Sequence, residues 1–169
     1  MTRGTKPLAA LLLGLAIAGA ATAEESASAR ALTALVGDWQ GEGTTSDMPS
    51  KQRLHWETVL GGQFVRLTLD NRMETPDGKE WHFQAQALYR VLPDGTIAGT
   101  WFDSRGFTFP LKGRADDSGV LTIDWGSDDT ERGLSRYRIE NGRLEVTDEV
   151  QDKDGTIRVF GRSTLERQP

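Results

Sequence analysis

From Trp39 to Leu165 apolar and polar residues alternate with a period of two, and the rhythm is broken by short polar segments suited to tight turns. A period of two is the mark of an extended strand with one buried face, because successive side chains point to opposite sides of the backbone. Between Lys79 and Val91, one set is Trp81, Phe83, Ala85, Ala87, Tyr89 and Val91; the other is His82, Gln84, Gln86, Leu88 and Arg90. Burying the first set leaves the second in water. In the same way Leu54, Trp56, Thr58 and Leu60 oppose Arg53, His55, Glu57 and Val59, and Leu144, Val146, Asp148 and Val150 oppose Arg143, Glu145, Thr147 and Glu149. Ile157, Val159, Gly161 and Ser163 continue the pattern as a fourth inward set.

The punctuation fixes how these strands connect. Asp77-Gly78, Asp94-Gly95, Asn141-Gly142 and Asp154-Gly155 are dipeptides that tolerate the positive φ of hairpin turns. Asp116-Asp117-Ser118-Gly119 and Ser127-Asp128-Asp129 serve the same end. About ten strands result, each a hairpin neighbour of the next, with no helical pattern between them to carry a parallel crossover. The expected class is all-β, an antiparallel up-and-down sheet. Closing that sheet into a single barrel hides the apolar face and removes exposed edges; a two-sheet sandwich satisfies the same alternation.

One stretch differs. From Ser28 to Val36, Ala31, Leu32, Leu35 and Val36 recur at helical spacing, and Gly37 is placed to stop the helix. Before it, Arg3 and Lys6 lead into a charge-free run from Pro7 to Ala20, and Ala21-Thr22-Ala23 precedes Glu24. A basic start, an apolar centre and small residues at the end describe a secretory signal peptide. The run is also shorter than the ~20 apolar residues a membrane span needs. The expected organisation is therefore a signal peptide over 1–23, a short segment and helix over 24–36, and a barrel domain over 37–169. The mature protein is expected to be exported, periplasmic or secreted, with no membrane anchor after cleavage.

The chain has no cysteine, which excludes both a disulfide framework and a lipid-anchored lipoprotein. Stability must come from one core and a hydrogen-bonded ladder, for which this length suffices. Acidic residues outnumber basic ones, 25 to 20, and two of the basic ones lie in the leader. That balance disfavours nucleic acid and anionic membrane surfaces as partners.

The segment Gly37-Asp38-Trp39-Gln40-Gly41-Glu42-Gly43, directly after a helix, resembles the opening of lipocalin-like, calycin-type barrels. Its Gly-x-Trp-x-Gly-x-Gly form is similar to nitrobindin and related fatty-acid-binding-protein-like barrels. Leu60-Gly61-Gly62-Gln63-Phe64, Tyr89 with Asp94-Gly95, Trp101-Phe102-Asp103 followed by Gly106, and Asp154-Gly155 before Arg162 and Arg167 resemble bacterial lipocalin-like domains in order and spacing. The resemblance implies a barrel rather than a sandwich. It further implies that Trp39 plugs the closed end, that Gly37, Gly41 and Gly43 let the first strand bend there, and that Arg162 or Arg167 lies over the Trp39 ring. One departure bears on cofactors. Nitrobindin-type barrels hold haem through a histidine near the C-terminal end, and Arg158 to Pro169 contains none. The two histidines, His55 and His82, fall on the outward set, so haem is not expected, and no other cofactor is implied.

No spacing of histidines and acids describes a metal site, and no catalytic residue is assigned. Gln151 to Gly155 lacks the acids of a calcium loop and reads as a hairpin turn. Asp116-Asp117 and Asp128-Asp129 read as turn residues, and His55 with Glu57 as an outward polar ladder. The aromatic set is more informative. Trp56, Trp81, Phe83, Tyr89, Trp101, Phe109 and Tyr137 share the interior with small residues such as Ala85, Ala87, Gly99 and Gly161, which leaves room for a cavity. Thr58, Asp148 and Ser163, with the two tyrosines, are the inward polar groups that would orient a guest.

The leading expectation is a binding protein for a small apolar or amphipathic molecule. A hydrolase or isomerase using Tyr89, Tyr137 or Asp148 is the second. A solid-core module of the cell envelope is the third, and it requires Leu88, Phe102 and Phe160 to form an exposed apolar patch.

Overall fold

The computed structural model describes residues 25–169; the expected leader lies outside the described residues. The helix α1 (Ala27–Leu35) starts where Ser26 accepts the backbone N–H of Ala29 at 3.2 Å, one residue before the expected start. Its buried side chains Ser28, Ala31, Leu32 and Leu35 are spaced three and four apart, which makes one buried stripe.

Ten strands follow: β1 (Gly37–Thr45), β2 (Met48–Val59), β3 (Phe64–Glu74), β4 (Glu80–Val91), β5 (Ile97–Asp103), β6 (Thr108–Ala115), β7 (Leu121–Gly126), β8 (Arg132–Glu140), β9 (Arg143–Gln151) and β10 (Ile157–Arg167). Each pairs antiparallel with its sequence neighbours, and β1 also pairs with β10 to close the barrel. The alternation expected from the sequence is realised in most strands. Ser50, Gln52, Leu54 and Trp56 point inward on β2, as do Phe109, Leu111 and Ala115 on β6.

Inward assignments on two strands are corrected. Leu60 is 67% exposed because β2 ends at Val59, and Leu60 opens the turn into β3 with φ of +52°. In β10, Val159 pairs with Glu149 and Gly161 with Asp148, so Phe160 is an extra residue in a β-bulge. The bulge reverses the phase of everything before it. Ile157 and Val159, expected inside, are exposed; Phe160 and Arg158 turn inward instead. The freed Phe160 carbonyl accepts the Ser46 N–H at 2.6 Å across the β1–β2 turn.

The helix end of the barrel is sealed by polar contacts. Ser28 Oγ donates to the Gly95 carbonyl at 2.6 Å and accepts the Ala115 N–H at 3.1 Å. Trp39 is buried, and its indole N–H donates to the Leu35 carbonyl at 2.7 Å. The guanidinium of Arg167 donates to Val36 at 2.6 Å and Ala34 at 2.7 Å while lying 4.3 Å from the Trp39 ring centre. Of the two arginines the sequence offered, Arg167 takes this place; Arg162 is exposed on β10. Carbonyls at the end of α1, which would otherwise lack partners, are thereby satisfied. Glycines make the approach possible. A methyl group on Gly37 would strike the Arg167 guanidinium, and one on Gly41 or Gly43 would strike the backbone carbonyl of Thr164 or Arg162.

Candidate functional site

The barrel interior holds a cavity of about 260 Å³ toward the end away from α1. Its mouth lies among the β1–β2, β5–β6 and β7–β8 turns, where Ser46, Arg105 and Glu131 contribute to the wall. Trp81, 46% exposed, stands at the same rim because β4 begins there. Below the rim the wall is aromatic. Phe109 lies 5.8 Å from Trp125, and Trp125 lies 6.2 Å from the bulged Phe160, edge to face.

Tyr89 and Tyr137 form the floor. Beneath them Trp56 is fully buried, stacked on Tyr89 at 5.4 Å and edge-on to Tyr137 at 5.3 Å. Burial pushes the Tyr89 hydroxyl well above the usual phenol range; its neighbour Tyr137 opposes this by hydrogen bonding, and the nearby Asp148 adds to it. Tyr137 is raised in the same way by burial and by the proximity of Tyr89 and Asp148. Both phenols therefore stay protonated across the physiological range.

Asp148 projects from β9 into the same space. Burial pushes its carboxyl up to about 6, against the opposing hydrogen bond from Ser135 Oγ, which reaches Oδ1 at 2.6 Å. The residue opposite it on β10 is Gly161, where an added Cβ would stand 3.0 Å from Oδ2. Gly161 thus makes room for this carboxylate and is not itself on the cavity wall.

At the mouth, Arg105 ties two turns together. It donates to Asp103 Oδ2 at 2.9 Å and to Glu131 Oε2 at 3.0 Å, with its guanidinium 4.8 Å from the Phe107 ring centre. Burial pushes the Asp103 carboxyl up, but Arg105 and the Trp101 indole N–H outweigh it and hold the group below its ordinary value. On the opposite side Asn71 donates to Thr45 Oγ1 at 3.1 Å, and its own Oδ1 has no partner among the described residues.

Of the residues singled out in the sequence, Trp81, Phe83, Tyr89, Trp101, Phe109, Tyr137 and Asp148 meet on this wall. Three do not. Trp56 is a layer deeper, Thr58 is exposed near the end of β2, and Ser163 is buried against Gly43 with no partner for its hydroxyl among the described residues. Gln52, Asn71, Ser135, Arg105, Glu131 and Phe160 belong to the wall but were not among those candidates. Gln52 and Ser135 carried a usable signal, since each is in phase with the inward Trp56 or Tyr137 on its strand. His55 and His82 lie on the outer surface, bonded to Asp38 at 2.7 Å and Asp70 at 2.6 Å. Of the outward apolar residues, Phe102 is 49% exposed, Leu88 is half-buried and Phe160 is inside, so these three form no common patch.

The barrel has a solved counterpart. The crystal structure of Rv2717c from M. tuberculosis matches with a TM-score of 0.67 at 18% identity, over 84% of this chain and 98% of that one. At that identity the likeness is one of fold. No protein-family description matches the chain, and no curated protein matches it.

Proposed function

We propose that this chain is an exported, lipocalin-like binding protein of the calycin kind, and that it holds a small apolar or amphipathic molecule inside the barrel. The observation that carries this reading is the cavity of about 260 Å³, open at one end, walled by aromatic rings and provided with a few converging polar groups. That volume falls near the lower end of the range for small-molecule sites, which favours a compact guest. The resemblance of the Gly37 to Gly43 segment to lipocalin-like openings supports the family, and the basic, apolar, small-residue leader supports export.

A panel of small aromatic and aliphatic molecules titrated into the protein should quench its tryptophan fluorescence, since Trp81, Trp101 and Trp125 all face the cavity. Val150→Trp should block this binding, because Val150 lines the cavity without being fully buried. Quenching that persists undiminished in the Val150→Trp protein would place the guest elsewhere, and no quenching by any compound would count against the reading. The convergence of Asp148, Ser135, Tyr137 and Tyr89 supports acid–base catalysis as a second reading. It requires turnover with a pH profile that breaks near 6 and is lost in Asp148→Asn.

A further inference from the structure

Four charged side chains contribute to the cavity wall: Arg105, Glu131, Asp148 and Arg158. Three belong to the mouth and are already paired. Arg105 joins Asp103 and Glu131, and Arg158 lies 3.3 Å from Asp152. Asp148 is different. It lies below the rim, takes a hydrogen bond on Oδ1 from Ser135, and has no ion pair among the described residues. Its Oδ2 accepts no hydrogen bond among those residues, and Gly161 keeps the space beside it free.

An unpaired carboxylate on a largely apolar barrel wall works against stability, and the inward positions around it on β9, Leu144, Val146 and Val150, show what the strand carries otherwise. The groups that face it sharpen the chemistry. Ser135 and Tyr137 approach from β8 and Tyr89 from β4, while β10 presents Gly161 directly opposite and Arg158 further toward the mouth. None of the near neighbours is a cation. Two neutral phenols supply oxygen acceptors and ring faces, and a cation is attracted to such faces. An ammonium group offers three donors and no acceptor, which matches a free carboxylate oxygen flanked by phenol oxygens. A carboxylate-headed guest would instead meet Asp148 as a like charge.

We propose that the barrel binds a small primary amine on an aromatic or apolar body, with its ammonium group seated on Asp148 and its body against the aromatic wall. This rests on the binding reading above and names its ligand class. Guest entry completes the ion pair that the protein leaves open, so the bound amine favours the ionised form of Asp148.

Calorimetric titration with tryptamine, tryptophol and indoleacetate tests it, because the three share an indole body and differ in the charge of the head. At pH 7.5 tryptamine should bind at least about tenfold more tightly than tryptophol, with indoleacetate weakest. Asp148→Asn should bring tryptamine to the level of tryptophol. Should that variant fail to fold, the wild-type protein serves. Its preference for tryptamine should vanish at pH 4.5, and binding at pH 6 should release about half a proton, measured in buffers of different ionisation enthalpy. Equal affinities for the three, or tightest binding of the alcohol or the acid, would overturn the amine assignment while leaving a binding barrel in place. Absence of heat with all three also overturns it, and if the wider aromatic and aliphatic panel fails as well, the binding reading falls with it.

Discussion

Ionising Asp148 inside the barrel opposes folding. Its folded pKa of about 6 lies above the ordinary 3.8, so between these values the native state holds more protons than the unfolded chain. The contribution of this group to stability is then fully present below about pH 4 and is lost as pH rises through 6. The shift corresponds to about 3 kcal/mol by pH 7. Asp148→Asn should therefore raise the melting temperature at pH 7 to 8 and flatten its pH dependence between 4 and 6; a variant less stable than the parent at pH 8 would contradict this. Glycine has the opposite character at Gly41, where any side chain meets the Thr164 carbonyl of the paired strand. Gly41→Ala is expected to cost about 1–3 kcal/mol or more in denaturant unfolding, through backbone displacement along the β1–β10 seam. At this scale the sequence was informative wherever chemistry was local. Gly41 and Trp39 could be read from their motif, and Asp148 from its inward phase.

Individual elements show where such reading stops. The phase of β10 could not be read through its bulge, because one extra residue leaves the composition of a strand unchanged and inverts every side chain on one side of it. Phe160 was therefore assigned outward and Ile157 and Val159 inward, and the cavity gained an aromatic wall that alternation denied it. Arg105 was missed for a related reason: it is a turn residue, and its reach to Glu131, 26 residues on, depends on barrel closure. This tie should matter to the mouth more than to the fold. Glu131→Gln is expected to speed hydrogen exchange in the β5–β6 and β7–β8 turns while changing global stability by less than ~1 kcal/mol, as solvent screening of this partly exposed pair requires. The helix end should respond on a larger scale. Trp39→Ala removes a buried indole, its bond to Leu35 and the surface beneath Arg167, and should cost about 3–5 kcal/mol by chemical denaturation.

For the molecule as a whole, ten strands in sequence order were legible from period-two alternation and the Asx-Gly turns, since both are set by nearest neighbours in the chain. Closure depended on the Gly-x-Trp-x-Gly-x-Gly resemblance, because the β1–β10 pairing joins segments that share no local signal. Removing residues 157–169 should leave unpaired edges on β1 and β9, and size-exclusion chromatography with light scattering should then show association in place of a monodisperse species. The same seam has a consequence in time. Register between Trp39 and Arg167 unites the first and the last strand of the barrel, so a chain delivered from its N-terminus can form hairpins as it emerges and still have no inside. Only when the tenth strand arrives does a lumen exist, and a guest cannot be captured by the ring before then.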